Sequence, residues 1–167
     1  MSLLLVFAAL FAAGYAYFST AETPVAAPLA QTLRETQSGP VIGYINDTGT
    51  YVWQGIAFAA PPVGELRWRA PRAPQPWTSP REATAVGGEC SRRGRASSAD
   101  NNMVEGGEDC LYLNIFSPPD TQRPLPVMFW IHGGGNTVGS GGSSIYDGSR
   151  YASEHNVVVV TINYRLG

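Results

Sequence analysis

The sequence predicts an α/β fold, and three observations carry that reading. Two apolar runs, Val127 to Ile131 and Val157 to Asn163, are rich in β-branched and aromatic residues without alternation, the pattern of strands buried on both faces. Between them lie a glycine-rich loop and one short helix-compatible stretch, Ser149 to His155, so that strand, loop, helix and strand suggest a right-handed βαβ crossover. Upstream, Asn46-Asp47-Thr48-Gly49 separates two β-prone runs and marks a hairpin.

A chain of 167 residues, 44% hydrophobic and 14% charged, holds enough apolar material for one domain with a real core. The net charge is −2, and no basic run extends beyond Arg92, Arg93 and Arg95, which gives no case for a nucleic-acid partner. With no CxxC and only two histidines, neither a metal site nor a cofactor is expected.

Taken in order, residues 1–21 are an uncharged apolar stretch, Ser2 to Phe18, followed by the small residues Ser19, Thr20 and Ala21. This fits a cleaved secretory signal without the usual basic start, or a single-span anchor at the lower length limit. Either exports the chain, so a secreted or extracytoplasmic location is expected, with membrane contact only through an uncleaved segment. Export favours a disulfide between Cys90 and Cys110, the two cysteines of the chain.

Residues 22–37, rich in Ala, Pro and Thr, read as a linker. Val41 to Ile45 and Tyr51 to Gln54 are the hairpin strands, and Asn46-Asp47-Thr48 is also a glycosylation sequon. Gly55 to Pro71 is expected to be extended and irregular, since its prolines forbid helix. Gly87 to Gly107 is polar and reads as a surface loop, and Leu111 to Phe116 is the next strand, ended by Ser117-Pro118-Pro119. Tyr146-Asp147-Gly148 is a turn into the helix, and Asn156 ends it.

The first apolar strand stops at His132-Gly133-Gly134-Gly135. Consecutive glycines belong where the backbone bends unusually or approaches something closely. One reading is a flexible turn. The other is a loop of bare N–H groups that holds an oxyanion, each donor being worth roughly 3 to 4 kcal/mol in acyl transfer.

Four segments decide between these readings: Gln54-Gly55-Ile56-Ala57-Phe58-Ala59 through Pro61-Pro62-Val63-Gly64 to Arg67-Trp68; Glu108-Asp109-Cys110-Leu111-Tyr112-Leu113-Asn114-Ile115; His132-Gly133-Gly134-Gly135; and Asn163-Tyr164-Arg165-Leu166-Gly167. Together they resemble the type-B carboxylesterases, the family that includes cholinesterases and bile-salt lipases. The resemblance covers residues 38–167 and implies the amino-terminal hairpin and first sheet strands of an α/β-hydrolase fold. It further implies that Gly134 and Gly135 supply oxyanion donors, that Cys90 pairs with Cys110, and that Arg67 and Glu108 form a structural ion pair. His132 would support the loop rather than act as the base.

Asn136 departs from the aromatic residue usual after the glycines. No G-x-S-x-G occurs in the 167 residues, and in this fold the nucleophile, acid and base follow one another beyond the last strand predicted here. The expectation is therefore the amino-terminal third of a serine ester hydrolase acting on a small-molecule or lipid carboxylic ester. A catalytically dead adhesion or scaffold relative, and an inactive remnant, are the alternatives. Ser91 to Asp109 contains no tryptophan, which disfavours a choline ester.

Overall fold

The computed structural model describes residues 29–93, 104–119 and 123–167, so the expected export segment and the start of the linker lie outside the described residues. The strands are β1 (Arg34–Glu35), β2 (Pro40–Ile42), β3 (Tyr44–Ile45), β4 (Tyr51–Ala57), β5 (Arg81–Glu82), β6 (Arg92–Arg93) and β7 (Val104–Glu105). They continue as β8 (Tyr112–Ser117), β9 (Val127–Ile131) and, after helix α1 (Ser149–His155), β10 (Val158–Ile162).

The main sheet has the order β3-β4-β8-β10-β9, with β9 and β10 parallel and the other pairs antiparallel. Tyr44 lies opposite Val52 in the hairpin, whose turn is closed by Asn46: its Oδ1 accepts the N–H of Thr48 and of Thr50 and the Thr48 hydroxyl. Parallel pairing of β9 with β10 across α1 is the βαβ arrangement that the apolar runs predict. The helix keeps its predicted bounds because both ends are fixed locally. Asp147 Oδ1 accepts the Ser149 N–H at 2.8 Å, and Asn156 takes the left-handed conformation, φ 54°, that stops the helix. Ala152, fully buried, seats the helix on Val52, Phe116 and Val159.

Four expectations are corrected. Val41 to Ile45 is not one strand: a side chain at Gly43 would strike the Val52 carbonyl and the Trp53 ring, and the chain breaks there, sending β2 to a second sheet, β1-β2-β5. Strand β4 runs on to Ala57 through a register shift between Trp53 and Ile56, because Gly55 takes φ 70° and bulges where a side chain would meet Ala85. Gly64–Leu66 then forms a 3-10 turn, so only the stretch beyond Ala57 is irregular. The described end of the linker is ordered: Ala30–Thr32 is a 3-10 turn, and the buried Thr32 accepts the Trp53 indole N–H at 2.7 Å on its carbonyl.

The fourth correction concerns β9. Its residues are not buried on both faces: Val127, Phe129 and Ile131 are 63%, 54% and 61% exposed. It is the outer strand, bonded to β10 alone: Met128 packs toward the cluster of Val52, Phe116, Ala152 and Val159 and Trp130 meets the Tyr146 ring at 5.5 Å, while the face of Val127, Phe129 and Ile131 is left open. The polar loop of Gly87 to Gly107 also contains a short ladder, β6 with β7, in its described part.

Candidate active site

The glycine loop leaves β9 at the end of the parallel pair, where open α/β sheets place their sites. His132 is 2% exposed, its ring stacked on Tyr164 with centroids 4.3 Å apart and planes at 15°. Its Nδ1 lies 2.9 Å from the Gly133 carbonyl, which only accepts, so Nδ1 donates there, while the buried Nε2 has no partner among the described residues. The Tyr164 hydroxyl donates to the His132 carbonyl at 2.8 Å. Behind the ring the chain must pass as glycine: a side chain at Gly139, φ 114°, would run into His132. These contacts hold the loop base still.

Three successive residues then take positive φ: Gly134 at 130°, Gly135 at 61° and Asn136 at 62°. Asn136 departs from the expected aromatic residue for a local reason, since asparagine tolerates this conformation far better than bulky side chains do. The turn draws the Gly134 carbonyl inward, where it accepts the N–H of Thr137 at 3.1 Å and of Val138 at 3.2 Å. The N–H groups of Gly133, Gly134 and Gly135 donate to no described residue, and all three glycines are exposed. A side chain at Gly134 would collide with the Val138 carbonyl, whereas one at Gly133 or Gly135 would meet nothing within 4 Å. The arrangement presents free amide donors on a strained, braced turn.

The other motifs meet behind this loop. Asn114 of β8 accepts the Gly55 N–H on Oδ1 at 3.0 Å and donates from Nδ2 to the Gly141 carbonyl at 3.2 Å and to Thr161 Oγ1 at 3.0 Å. Asn163 Oδ1 accepts the Gly141 N–H at 2.8 Å and the Ser140 hydroxyl at 3.2 Å, while its Nδ2 donates to the Gly88 carbonyl at 2.8 Å. Gly167 N–H closes the far side on the Asn136 carbonyl at 2.9 Å. Sequence reasoning missed Asn114, Ser140, Thr161 and Asn163 as supports. For Asn114, Thr161 and Asn163 the available signal was a polar side chain inside otherwise apolar strand runs, where asparagine is disfavoured unless it is bonded. Ser140, in the Gly/Ser loop, carried no such signal.

Cys90 and Cys110 are joined by a disulfide and are 2% and 1% exposed, packed with Ala59, Leu111 and Leu166. Arg67 grips Glu108 with two bonds of 2.6 Å, Nη2 to Oε2 and Nε to Oε1. That fork holds the Arg67 guanidinium above its usual pKa. Neither pair touches the glycine loop. Among the described residues no serine hydroxyl bonds a histidine: Ser140 donates to Asn163, and His132 has only Gly133 beside Nδ1.

The carboxylesterase family's sequence model matches residues 30–167. The chain belongs to the carboxylesterase family. Within that family it is 44% identical to the para-nitrobenzyl esterase of Bacillus subtilis (strain 168) over 133 residues, 79% of this chain and 27% of that protein. It is 46% identical to the fumonisin B1 esterase of Sphingopyxis macrogoltabida over 148 residues, 86% of this chain and 26% of that one. The solved structure of a thermophilic pNB esterase superposes with a TM-score of 0.73 at 41% identity, covering 82% of this chain and 28% of the other. The α/β-hydrolase architecture is thus shared over the part covered. The chain spans about a quarter of the length of these carboxylesterases.

Proposed function

We propose that this chain is the oxyanion-binding, amino-terminal part of a serine carboxylic ester hydrolase, exported from the cytoplasm. The observation that carries the reading is the pair of free, exposed amide donors at Gly134 and Gly135 on a turn braced by His132, Tyr164 and Asn163. Strained backbone persists where surrounding structure enforces it, and such strain clusters at functional sites. A scaffold domain without chemistry has no need of it.

In the whole enzyme a serine from sequence beyond these residues attacks the ester carbonyl. The carbonyl oxygen gains negative charge and moves within reach of the Gly134 and Gly135 N–H groups, with the N–H after the serine as a third donor. Collapse of the tetrahedral intermediate expels the alcohol, and water then releases the acid. The donors are fixed before reaction, so little reorganisation opposes the transition state. The 167 residues contain no G-x-S-x-G, and we infer that they do not turn over ester by themselves. The substrate class is a small-molecule or lipid carboxylic ester, with no nucleic-acid partner.

Reading the transcript past the codon for Gly167 tests this. A continuing frame with G-x-S-x-G in the next strand-turn-helix unit, whose product hydrolyses p-nitrophenyl esters and loses that activity on replacing the serine by alanine, is the expected result. A continuing frame without that serine overturns it in favour of the scaffold reading.

A further inference from the structure

A cleft of about 690 Å³ opens beside the glycine loop. One wall is Val138, whose N–H is bonded to the Gly134 carbonyl, so the cleft begins one turn from the amide donors. Ile145, 78% exposed, and Tyr146 give it further apolar surface, Thr137, Ser140 and Ser143 lie between, and Glu89 lines the rim together with Arg92 and Arg93 of β6. The two arginines differ in their surroundings. Arg92 is neutralised by Glu105 at 3.0 Å and Glu89 at 3.4 Å. Arg93 has Val104 opposite it in the ladder and no carboxylate partner among the described residues. A cleft that starts at an oxyanion loop, offers Val138, Ile145 and Tyr146 as an apolar strip among polar side chains, and ends at a guanidinium left unpaired while Glu89 is engaged by Arg92, suits a hydrocarbon chain with an anionic end.

We propose that Arg93 is a specificity-determining residue that selects esters carrying a carboxylate remote from the scissile bond. The inference rests on the ester-hydrolase reading above and deepens it by naming a substrate class. Guanidinium is suited to the task because its planar fork matches carboxylate geometry and stays charged at any working pH. The hydrocarbon between ester and carboxylate would lie on Val138, Ile145 and Tyr146, burying surface that water now covers.

The test compares two p-nitrophenyl esters of equal chain length in the full-length protein, the neutral octanoate and the mono-ester of suberic acid, whose far end is a carboxylate. The readout is the ratio of kcat/KM for suberate to that for octanoate, which does not depend on how much enzyme is folded. Arg93→Gln is expected to lower that ratio about tenfold, mainly through KM of the suberate ester, the size of one charge-assisted contact at a partly exposed site. Arg93→Glu should lower it further, Arg93→Lys should restore part of it, and added salt should weaken the wild-type preference. Hydrolysis of both esters with a ratio that none of these changes moves overturns the role of Arg93 alone. Hydrolysis of neither ester overturns it together with the ester-hydrolase reading.

Discussion

Single residues of the glycine loop have unequal tolerance, and the inequality is a sharp prediction. Gly134 combines φ 130° with a path blocked by the Val138 carbonyl, whereas Gly133 faces open space. In the full-length protein, Gly134→Ala should displace an amide donor and lower kcat by about a hundredfold, the usual cost of losing one such group. Gly133→Ala should retain most activity. Ester hydrolysis rates of the two variants check this, and equal losses would contradict it. A second residue-scale effect belongs to Tyr112. Burial first, and then its hydrogen bond to Asp109 at 2.8 Å, push its phenol up to about 12 from 10.0. Because the folded state favours the neutral phenol, the unfolded chain loses that proton first. The stabilisation is complete below pH 10 and disappears as pH rises towards 12. Replacing Tyr112 by phenylalanine should therefore flatten the fall in denaturation midpoint across that window.

At the scale of elements, two asparagines lock the glycine loop to a sheet that apolar packing of Val52, Phe116 and Val159 already holds together. Asn114 ties β4, β8, β10 and the Gly141 backbone together through three bonds. Its change to alanine leaves the Gly55 N–H without its partner, while the Gly141 carbonyl keeps the Thr161 hydroxyl at 2.8 Å, and should cost about 1–3 kcal/mol in a urea titration. The strands of the main sheet and the helix were readable from the sequence because their signals are local, namely β-branched runs, an aspartate before the helix and an asparagine after it. The two-residue strands at Arg34, Arg81, Arg92 and Val104 carry no such run. The break at Gly43 and the bulge at Gly55 were not readable. Both arise where one strand's backbone meets another's carbonyl or ring, and no residue pattern within either strand records that meeting. The loop's glycines were legible as candidate donors, but their bracing by Tyr164, Asn163 and Gly167 depends on a segment some thirty residues away folding back.

Across the whole molecule, the exposure of β9 is the feature that the apolar pattern of its sequence conceals. A run such as Val127 to Ile131 shows that both faces of a strand are apolar, and not whether anything lies against them. In the described residues only the Met128 and Trp130 face is partly covered, the Val127, Phe129 and Ile131 face lies open, and one edge of β9 keeps its backbone groups unpaired. Bare apolar edges template association. The 167-residue chain expressed alone should therefore be insoluble or poorly folded, and a sharp cooperative melt of soluble monomer would contradict that.

The most direct measurement is labelling with a fluorophosphonate, which phosphonylates an activated serine, of the 167-residue chain and of the protein read past Gly167. The predicted result is covalent label on the longer protein at a serine beyond Gly167, weakened by Gly134→Ala, and none on the shorter chain. Stoichiometric label on the 167-residue chain would place a working nucleophile among these residues and contradict the account.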